Sequence, residues 1–306
     1  MLADSAIVLR EGVAVFISVL IASRWRPAML AETLASIRQQ SRQPDEVIIS
    51  VTGPDDLPPN LDSDPSVRVI IAEAGVMAQR NAAIHATNPK CDAVVFFDDD
   101  VELAVDYLDH AEAFWQARPD VIMFDGHFLH PGPCARSEAK RLLREHSIRE
   151  DRFVQTGSAW GCNMNFRRWV FGKELFDEAL DGYAWLGEYD LCERISSLGL
   201  GGRYYGCCFV HLQTTTGRFP DRQLGYAQLM NARYYYSKGT IVHSGFDLLL
   251  NHCMKIPAIN LYWLLRGDRR VNRRERLIGN FLALIAMLKG VREPKTVKLI
   301  RGGANL

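Results

Sequence analysis

The sequence predicts an α/β fold in which helices cover both faces of a central sheet, followed by a helical, basic C-terminal extension. Three observations predict it. Over the first hundred residues, short apolar runs rich in Val, Ile and Phe alternate with amphipathic segments, the pattern of strands packed between layers of helices. The fourth of these runs leads straight into three consecutive aspartates, Asp98, Asp99 and Asp100, at the kind of strand end where open α/β sheets bind ligands. From about Thr240 onward the composition turns to helix-forming apolar and basic residues, which divides the chain into residues 1–240 and 241–306.

Taken in order, Val13 to Ile21 is an apolar run broken only by Ser18 and reads as a strand buried on both sides. It ends at Ser23 to Pro27, after which Leu30, Leu34 and Ile37 recur at helical spacing. Pro44 closes that segment, and Glu46 to Val51 reads as a second strand. A loop rich in Pro and Asp spans Gly53 to Pro65. Val67 to Ala72 follows as a third strand, Met77 to Ala86 as a helix and Ala93 to Phe97 as the strand that enters the aspartates. Val105 to Arg118 is expected to be a helix, Val121 to Leu129 a strand and Ser137 to Arg149 a solvated helix. A region rich in glycine and aromatics, Gly157 to Gly206, precedes the strand-like Cys207 to Leu212.

Composition narrows the function classes. Of 306 residues, 36 are basic and 36 acidic, so no global charge calls for nucleic acid as partner. Between Arg266 and Arg301, however, eleven Lys or Arg stand against three Asp or Glu. Seven cysteines without a C-x-x-C pair argue against a disulfide framework or a zinc finger and fit a reducing cytoplasm. The run from Val13 to Ala22 follows Arg10 and Glu11 and is broken by Ser18, so it reads as a strand and not as a leader. Phe246 to Leu265 carries Asp247, Asn251, His252, Lys255 and Pro257, too many interruptions for a membrane span.

Three adjacent carboxylates repel one another, and a folded chain tolerates them when they are hydrated at a turn, placed at a helix N-terminus or neutralised by a cation. Here they end a buried strand. Asp98 and Asp100 can therefore share a divalent ion whose remaining ligands are phosphate oxygens, and hard oxygen donors suit Mn or Mg.

Several segments together carry a family resemblance. They are Val15 to Pro27 with Leu30, Thr33, Leu34, Ser36, Gln39 and Gln40; Pro44 to Ile49; Gln79-Arg80-Asn81-Ala82-Ala83-Ile84; Phe96 to Asp100; Gly161 to Arg168; Gly187-Glu188-Tyr189-Asp190-Leu191 with Arg194; and Val210-His211. In this order and spacing, across residues 13 to 240, they resemble the family-2 glycosyltransferases of GT-A fold. Phe96 to Asp100 is similar to that family's D-x-D motif and Gly161 to Arg168 to its G-x-N-M-x-F-R-R segment.

The resemblance implies an inverting transfer of a sugar from a nucleotide diphosphate donor to an acceptor hydroxyl, in polysaccharide or glycolipid assembly. It implies that Asp98 contacts the donor nucleotide, with Asp99, Ser23, Arg24 and Arg80 on the same ligand, and that Asp100 and His211 hold the metal. Taken alone, a His after an apolar strand is more often a packed residue, and Arg80 can equally form a surface ion pair. Glu188 aligns with the family's base, with Gly187 where the family has Glu; a shift of one or two residues gives the role to Asp190. Both can also simply cap the helix that follows. Trp160, Trp185 and Tyr183 are candidate platforms for sugar rings, or core, and Asn163 lies in the acceptor-side motif. The family's base-reading Asp after the second strand is matched here by Val51 and Thr52, with Asp55 or Asp56 as substitutes from the loop. UDP- or dTDP-sugars lead as donors, ahead of GDP-sugars.

The partners implied are therefore a nucleotide-sugar and a glycan or lipid-linked acceptor. Leu277, Phe281, Leu284, Ile285 and Leu288 follow helical spacing behind Arg269, Arg270, Arg273, Arg274 and Arg276. Such a helix either packs on the catalytic domain or lies in a membrane interface at the cytoplasmic face. Two other functions compete. A nucleotidyltransferase would open with a glycine-rich phosphate loop, and Ser23 to Pro27 contains no glycine. A non-catalytic nucleotide-sugar-binding module would keep the fold without needing Asp98, Asp100, Glu188 and His211 together.

Overall fold

The computed structural model describes residues 14–59, 61, 65–146, 149–180, 184–214, 219–239, 245–268 and 271–294. Tyr183, Arg269 and Arg270, singled out above, lie outside them. Among the described residues the strands are β1 (Ile17–Ala22), β2 (Glu46–Val51), β3 (Val67–Ile71), β4 (Ala93–Phe97), β5 (Val101–Leu103), β6 (Val121–Phe128), β7 (Phe153–Gln155), β8 (Asn163–Arg167) and β9 (Leu200–His211). The helices are α1 (Pro27–Arg38), α2 (Val76–Ala86), α3 (Tyr107–Ala117), α4 (Arg136–Glu145), α5 (Gly187–Ile195), α6 (Asp221–Lys238), α7 (Gly245–Leu265) and α8 (Arg273–Leu288).

The chain forms two compact units. The first draws on the described residues of Met1–Ala72, Ala82–Glu174 and Ile195–Thr216, and the second on those of Glu73–Asn81, Leu175–Arg194 and Gly217–Leu306. In the first, all strands join one mixed sheet in the order β3-β2-β1-β4-β8-β6-β9-β5, with β7 also on β9. The leading four pair in parallel, which accords with the largely apolar, buried sequences of β1, β2 and β4; β3, at the sheet edge, carries an exposed Arg68. Alternation along β1 sends Ile17, Val19 and Ile21 to the same core as Leu30, Leu34 and Ile37 of α1 and Leu108, Ala111 and Trp115 of α3. A smaller cluster joins Ala139 and Leu143 of α4 to Cys208, Val210 and Leu212.

β9 is seven residues longer at its start than the strand-like run Cys207 to Leu212 foretold. Glycine weakens strand propensity, but here it allows close contact. A Cβ on Gly202 would meet the Val154 carbonyl oxygen at 2.2 Å, so pairing with β7 requires hydrogen at that position. The strands β5, β7 and β8 carry too little periodic signal to be read in advance.

In the second unit, α6, α7 and α8 share a core of Tyr226, Ala227, Leu229, Met230 and Ala283. The α6 and α8 backbones touch at two glycines. A Cβ on Gly225 would lie 2.1 Å from the Arg276 carbonyl oxygen, and one on Gly279 would lie 2.0 Å from that of Arg222. Arg276 pairs with Asp221 at 2.6 Å and Arg273 with Asp268 at 2.9 Å. Much of α8's apolar face and two of its arginines are therefore engaged within the unit.

Candidate functional site

The strand topology explains how residues far apart in sequence meet. β4 ends in Asp98 to Asp100, and the chain turns into β5, which pairs antiparallel with the end of β9 in the register Val101 opposite His211. The Leu212 N–H donates to the Asp100 carbonyl at 2.8 Å. Two strand ends are thereby stitched together, and the His211 side chain is delivered to the aspartate turn.

Asp98, Asp100 and His211 each offer one ligand atom, and these lie within 4.8 Å of one another. His211 Nε2 is 2.9 Å from Asp100 Oδ1 and 3.7 Å from Asp98 Oδ2. Asp100 Oδ2 accepts from Thr214 N and Thr214 Oγ1, both at 3.0 Å. Burial opposes ionisation of Asp100, but the His211 hydrogen bond and charge, with Arg26 and Thr214, hold its pKa well below the carboxylate range. His211 moves the opposite way: burial disfavours its cation, yet Asp100, Cys162 and Asp98 raise its pKa far above the usual value. Two carboxylates and an imidazole are a donor set that fits Mn or Mg completed by phosphate or water. A divalent ion bound there would replace the proton on His211.

Asp99 faces a different set of partners. Its Oδ2 accepts from Ser23 Oγ at 2.6 Å and its Oδ1 pairs with Arg26 at 2.9 Å, while its backbone carbonyl accepts from Thr33 Oγ1 at 2.7 Å. Burial pushes its pKa up against the pull of Arg26 and Ser23. Buried Asp99 and Ser23 thus fasten the β1 end to the aspartate turn. Arg26, whose guanidinium is also 3.8 Å from Asp100, was not singled out from the sequence; an Arg four residues beyond the end of β1 was its only signal. Arg24 is exposed and lies over the ring of Trp25 at 3.9 Å.

Asp56 completes this corner. It is buried, and it accepts from Trp25 N at 2.7 Å, Thr52 N at 2.9 Å and Thr52 Oγ1 at 2.7 Å. Burial opposes its charge, but these bonds lower its pKa on balance. Its stabilising contribution is therefore complete above the unfolded value of about 4 and is lost as pH falls through the lower folded value. Asp56→Asn is expected to cost about 1–3 kcal/mol at neutral pH. In thermal melts across pH, its gap from wild type should close below about pH 4.

The aromatic candidate Trp160 is 48% exposed. Its ring lies 5.4 Å from Phe128, which in turn lies 6.4 Å from His211, so an exposed indole flanks the cluster. Asn163, in contrast, has no exposed surface. Its Oδ1 accepts from Gly126 N at 2.6 Å and its Nδ2 donates to Tyr107 Oη at 2.7 Å. A side chain so enclosed braces β8 against β6.

The second unit holds the remaining candidates. Glu188 opens α5 and is partly exposed; its Oε1 pairs with Arg80 Nη1 at 2.7 Å. Asp190 is completely buried and pairs with Lys238 at 2.6 Å and Arg194 at 2.9 Å. Lys238 also reaches Asp177 at 2.7 Å, so Asp190 belongs to a closed ionic network. Gly187 is close to Met77: a Cβ would lie 2.3 Å from Met77 Cε, so the Met77 side chain fills space that a longer residue would claim. Trp185 is half-buried, and its carbonyl accepts from Asn231 at 2.8 Å.

Backbone strain marks these segments. Among the described non-glycine residues, positive φ occurs at Trp25, Ala184, Leu186 and Gln213. Such conformations persist where the surrounding structure over-determines them. Each stands within four residues of a candidate group: Ser23 and Arg24, Glu188, or His211.

Comparison with known proteins agrees with this architecture. No sequence match is found among curated proteins. Among solved structures, the mannosyltransferase PcManGT from Pyrobaculum calidifontis, in complex with GDP-Man and Mn2+, aligns with TM-score 0.52 at 17% identity over 94% of this chain and 79% of its own. GalNAc-T7 with UDP, GalNAc and Mn2+ aligns with TM-score 0.57 at 13% identity, over 94% of this chain and 56% of its own. S. aureus TarS aligns with TM-score 0.52 at 11% identity, over 77% and 43%. The chain thus spans little over half the length of GalNAc-T7 and less than half of TarS. The fold is that of the GT-A glycosyltransferases, and the sequence pattern of glycosyl transferase family 2 matches residues 18–173. With this pattern across half its length, and with the strand ends of its sheet gathering Asp98, Asp100 and His211, the chain belongs to glycosyl transferase family 2.

Proposed function

We propose that this glycosyltransferase is an inverting, metal-dependent enzyme that moves a hexosyl group from a nucleotide diphosphate donor to an acceptor hydroxyl. The observation that carries the proposal is the convergence of Asp98, Asp100 and His211. Asp100 and His211 would hold a divalent cation, Mn or Mg, and Asp98 would face the donor. When bound, the cation supplies Lewis-acid stabilisation of the departing diphosphate. Ser23 and Arg26 keep the aspartate turn in place through Asp99. The two neighbours solved with ligands hold GDP-Man, or UDP and GalNAc, together with Mn2+, which supports a nucleotide-sugar donor here. A UDP- or dTDP-sugar is the proposed donor, and a thermal-shift screen of UDP-, dTDP- and GDP-sugars with Mn tests it.

Glu188 is proposed as the base. The acceptor oxygen forms its bond to the anomeric carbon while the bond to the diphosphate oxygen breaks. The electron pair leaves with the nucleoside diphosphate, and the hydroxyl proton passes to Glu188. Partial exposure and an ion pair to Arg80 support Glu188 over Asp190, whose carboxylate is enclosed by Lys238 and Arg194. A donor-turnover assay with Mn and with a chelator tests the whole reading. Metal-dependent release of nucleoside diphosphate supports it, release of pyrophosphate would mean nucleotidyl transfer, and no turnover with any donor would leave a binding module.

A glycan or lipid-linked acceptor in polysaccharide or glycolipid assembly is proposed, with the enzyme at the cytoplasmic face of a membrane. No described helix is long and apolar enough to cross a bilayer. The last turn of α7, however, exposes Leu261, Tyr262, Trp263, Leu264 and Leu265 next to exposed Arg266. Aromatic and aliphatic side chains beside a cation are the composition of an interfacial anchor. The contact therefore falls to α7 more than to α8, whose arginines Arg273 and Arg276 are paired. Trp263→Glu combined with Leu265→Glu is expected to weaken sedimentation with anionic vesicles by roughly tenfold or more, because each buried apolar side chain contributes about 1.5–3 kcal/mol.

A further inference from the structure

A second group of metal-ligating side chains lies on the opposite face of β9. Along a strand, successive side chains alternate between faces, so Cys208 and His211, three residues apart, point to opposite sides of the sheet. Cys208 accordingly packs with Ala104, Ala139, Leu143, Val210 and Leu212, whereas Cys207 and Phe209 belong to the main core. Across the parallel pairing of β6 with β9, the residue opposite Cys208 is His127. A register shift between Gly126 and His127 brings this about. His146 follows the last turn of α4, and its carbonyl accepts a hydrogen bond from Arg149, itself paired with Asp106.

His127, His146 and Cys208 each present a ligand atom, all within 4.8 Å of one another. His127 Nδ1 and His146 Nε2 are buried and have no hydrogen-bond partner. The Cys208 thiol makes a 3.5 Å contact to the Tyr205 carbonyl, long enough to be readily given up. A buried polar atom left unpaired costs about 1–3 kcal/mol, and two such nitrogens converging with a thiol form an arrangement that a metal ion would satisfy at once. Two imidazoles and a thiolate are borderline-soft donors, which select zinc over the oxygen-seeking Mn or Mg.

We propose that His127, His146 and Cys208 form a zinc-binding site, separate from the Asp98, Asp100 and His211 cluster, that pins the C-terminal end of α4 to β6 and β9. Binding releases the thiol proton to solvent, and water fills the fourth tetrahedral position. The absence of any C-x-x-C is no obstacle, because the ligands come from two adjacent strands and a helix end and not from one loop.

Cobalt(II) titration tests this, because cysteinate coordination gives a charge-transfer band in the near ultraviolet that oxygen and nitrogen ligands do not. The band is expected in the wild type and in Asp100→Asn, which alters the other cluster. It should persist in Cys162→Ser, a control for the cysteine near His211, and vanish in Cys208→Ser. His146→Gln, altered at a half-buried helix end, should fold normally and lose zinc affinity by more than the roughly 10–100-fold that follows loss of an outer hydrogen-bond partner. Zinc alone should raise the melting temperature of the wild type but not of His146→Gln. Absence of the band from the wild type, or its survival in Cys208→Ser, overturns the proposal. Neither result bears on sugar transfer, which is assayed separately with Mn.

Discussion

Asp100→Ala is expected to abolish metal-dependent donor binding and to lower kcat/KM by about a thousandfold or more, the scale of losing a leaving-group stabiliser. Asp100 does more than offer a ligand. Its two oxygens hold His211 on one side and Thr214 on the other, so truncation frees both residues from the strand end. Breaking a buried ion pair on one side costs about 3–5 kcal/mol, and His211 can relieve part of this by shedding its proton. Asp100→Asn separates the two effects: the amide keeps an acceptor for Thr214 but loses the charge that attracts a cation. It is expected to melt closer to wild type while remaining inactive with Mn. Calorimetric titration of donor with and without Mn is the measurement. A variant at Asp100 that keeps a manganese-dependent donor affinity equal to wild type would remove this residue from the metal site.

Glu188→Gln is expected to fold and bind donor normally while turnover falls by about 10²–10⁴, the usual contribution of a positioned base. The amide oxygen still accepts from Arg80, so the local structure survives. Asp190→Asn should behave in the opposite sense. It leaves Lys238 and Arg194 facing a neutral group in a fully buried position, and its main effect is a loss of about 3–5 kcal/mol of stability. For a chain of this size each kcal/mol lowers Tm by roughly 2–4 °C, so a melt resolves it. What remains folded at low temperature should keep near-normal turnover. Turnover at the wild-type rate in Glu188→Gln would transfer the search for the base to another group.

The two carboxylates illustrate where reading the sequence stops. They sit two residues apart on one helical turn, with the same charge and nearly the same neighbours in the chain. What separates them is Lys238, 48 residues beyond Asp190, and the Arg80 that reaches Glu188 from 108 residues away. A similar lesson comes from Asp99. In sequence it is the middle of an acidic triplet, but alternation at the strand end turns it toward Ser23 and Arg26 and away from His211. Asn163 lies in a segment that resembles the family's acceptor-side motif, and only the fold shows that its side chain is enclosed between strands.

Local chemistry was enough for the strands β1, β2 and β4, the helix α1, and the identity of the family. Continuous apolar runs, the proline at the start of α1 and the acidic strand end are statements about neighbouring residues, and neighbours are what a linear chain records. The pairing of β5 with the end of β9 is not of that kind, nor is the meeting of His127 with Cys208. Each depends on which strands lie side by side and in what register, and backbone hydrogen bonds between distant segments set that register. Glycine-rich β9 concealed its own length until packing against β7 gave the glycines a purpose. Strand propensity and hydrophobic spacing thus specified the layers, while long-range strand pairing selected which side chains converge.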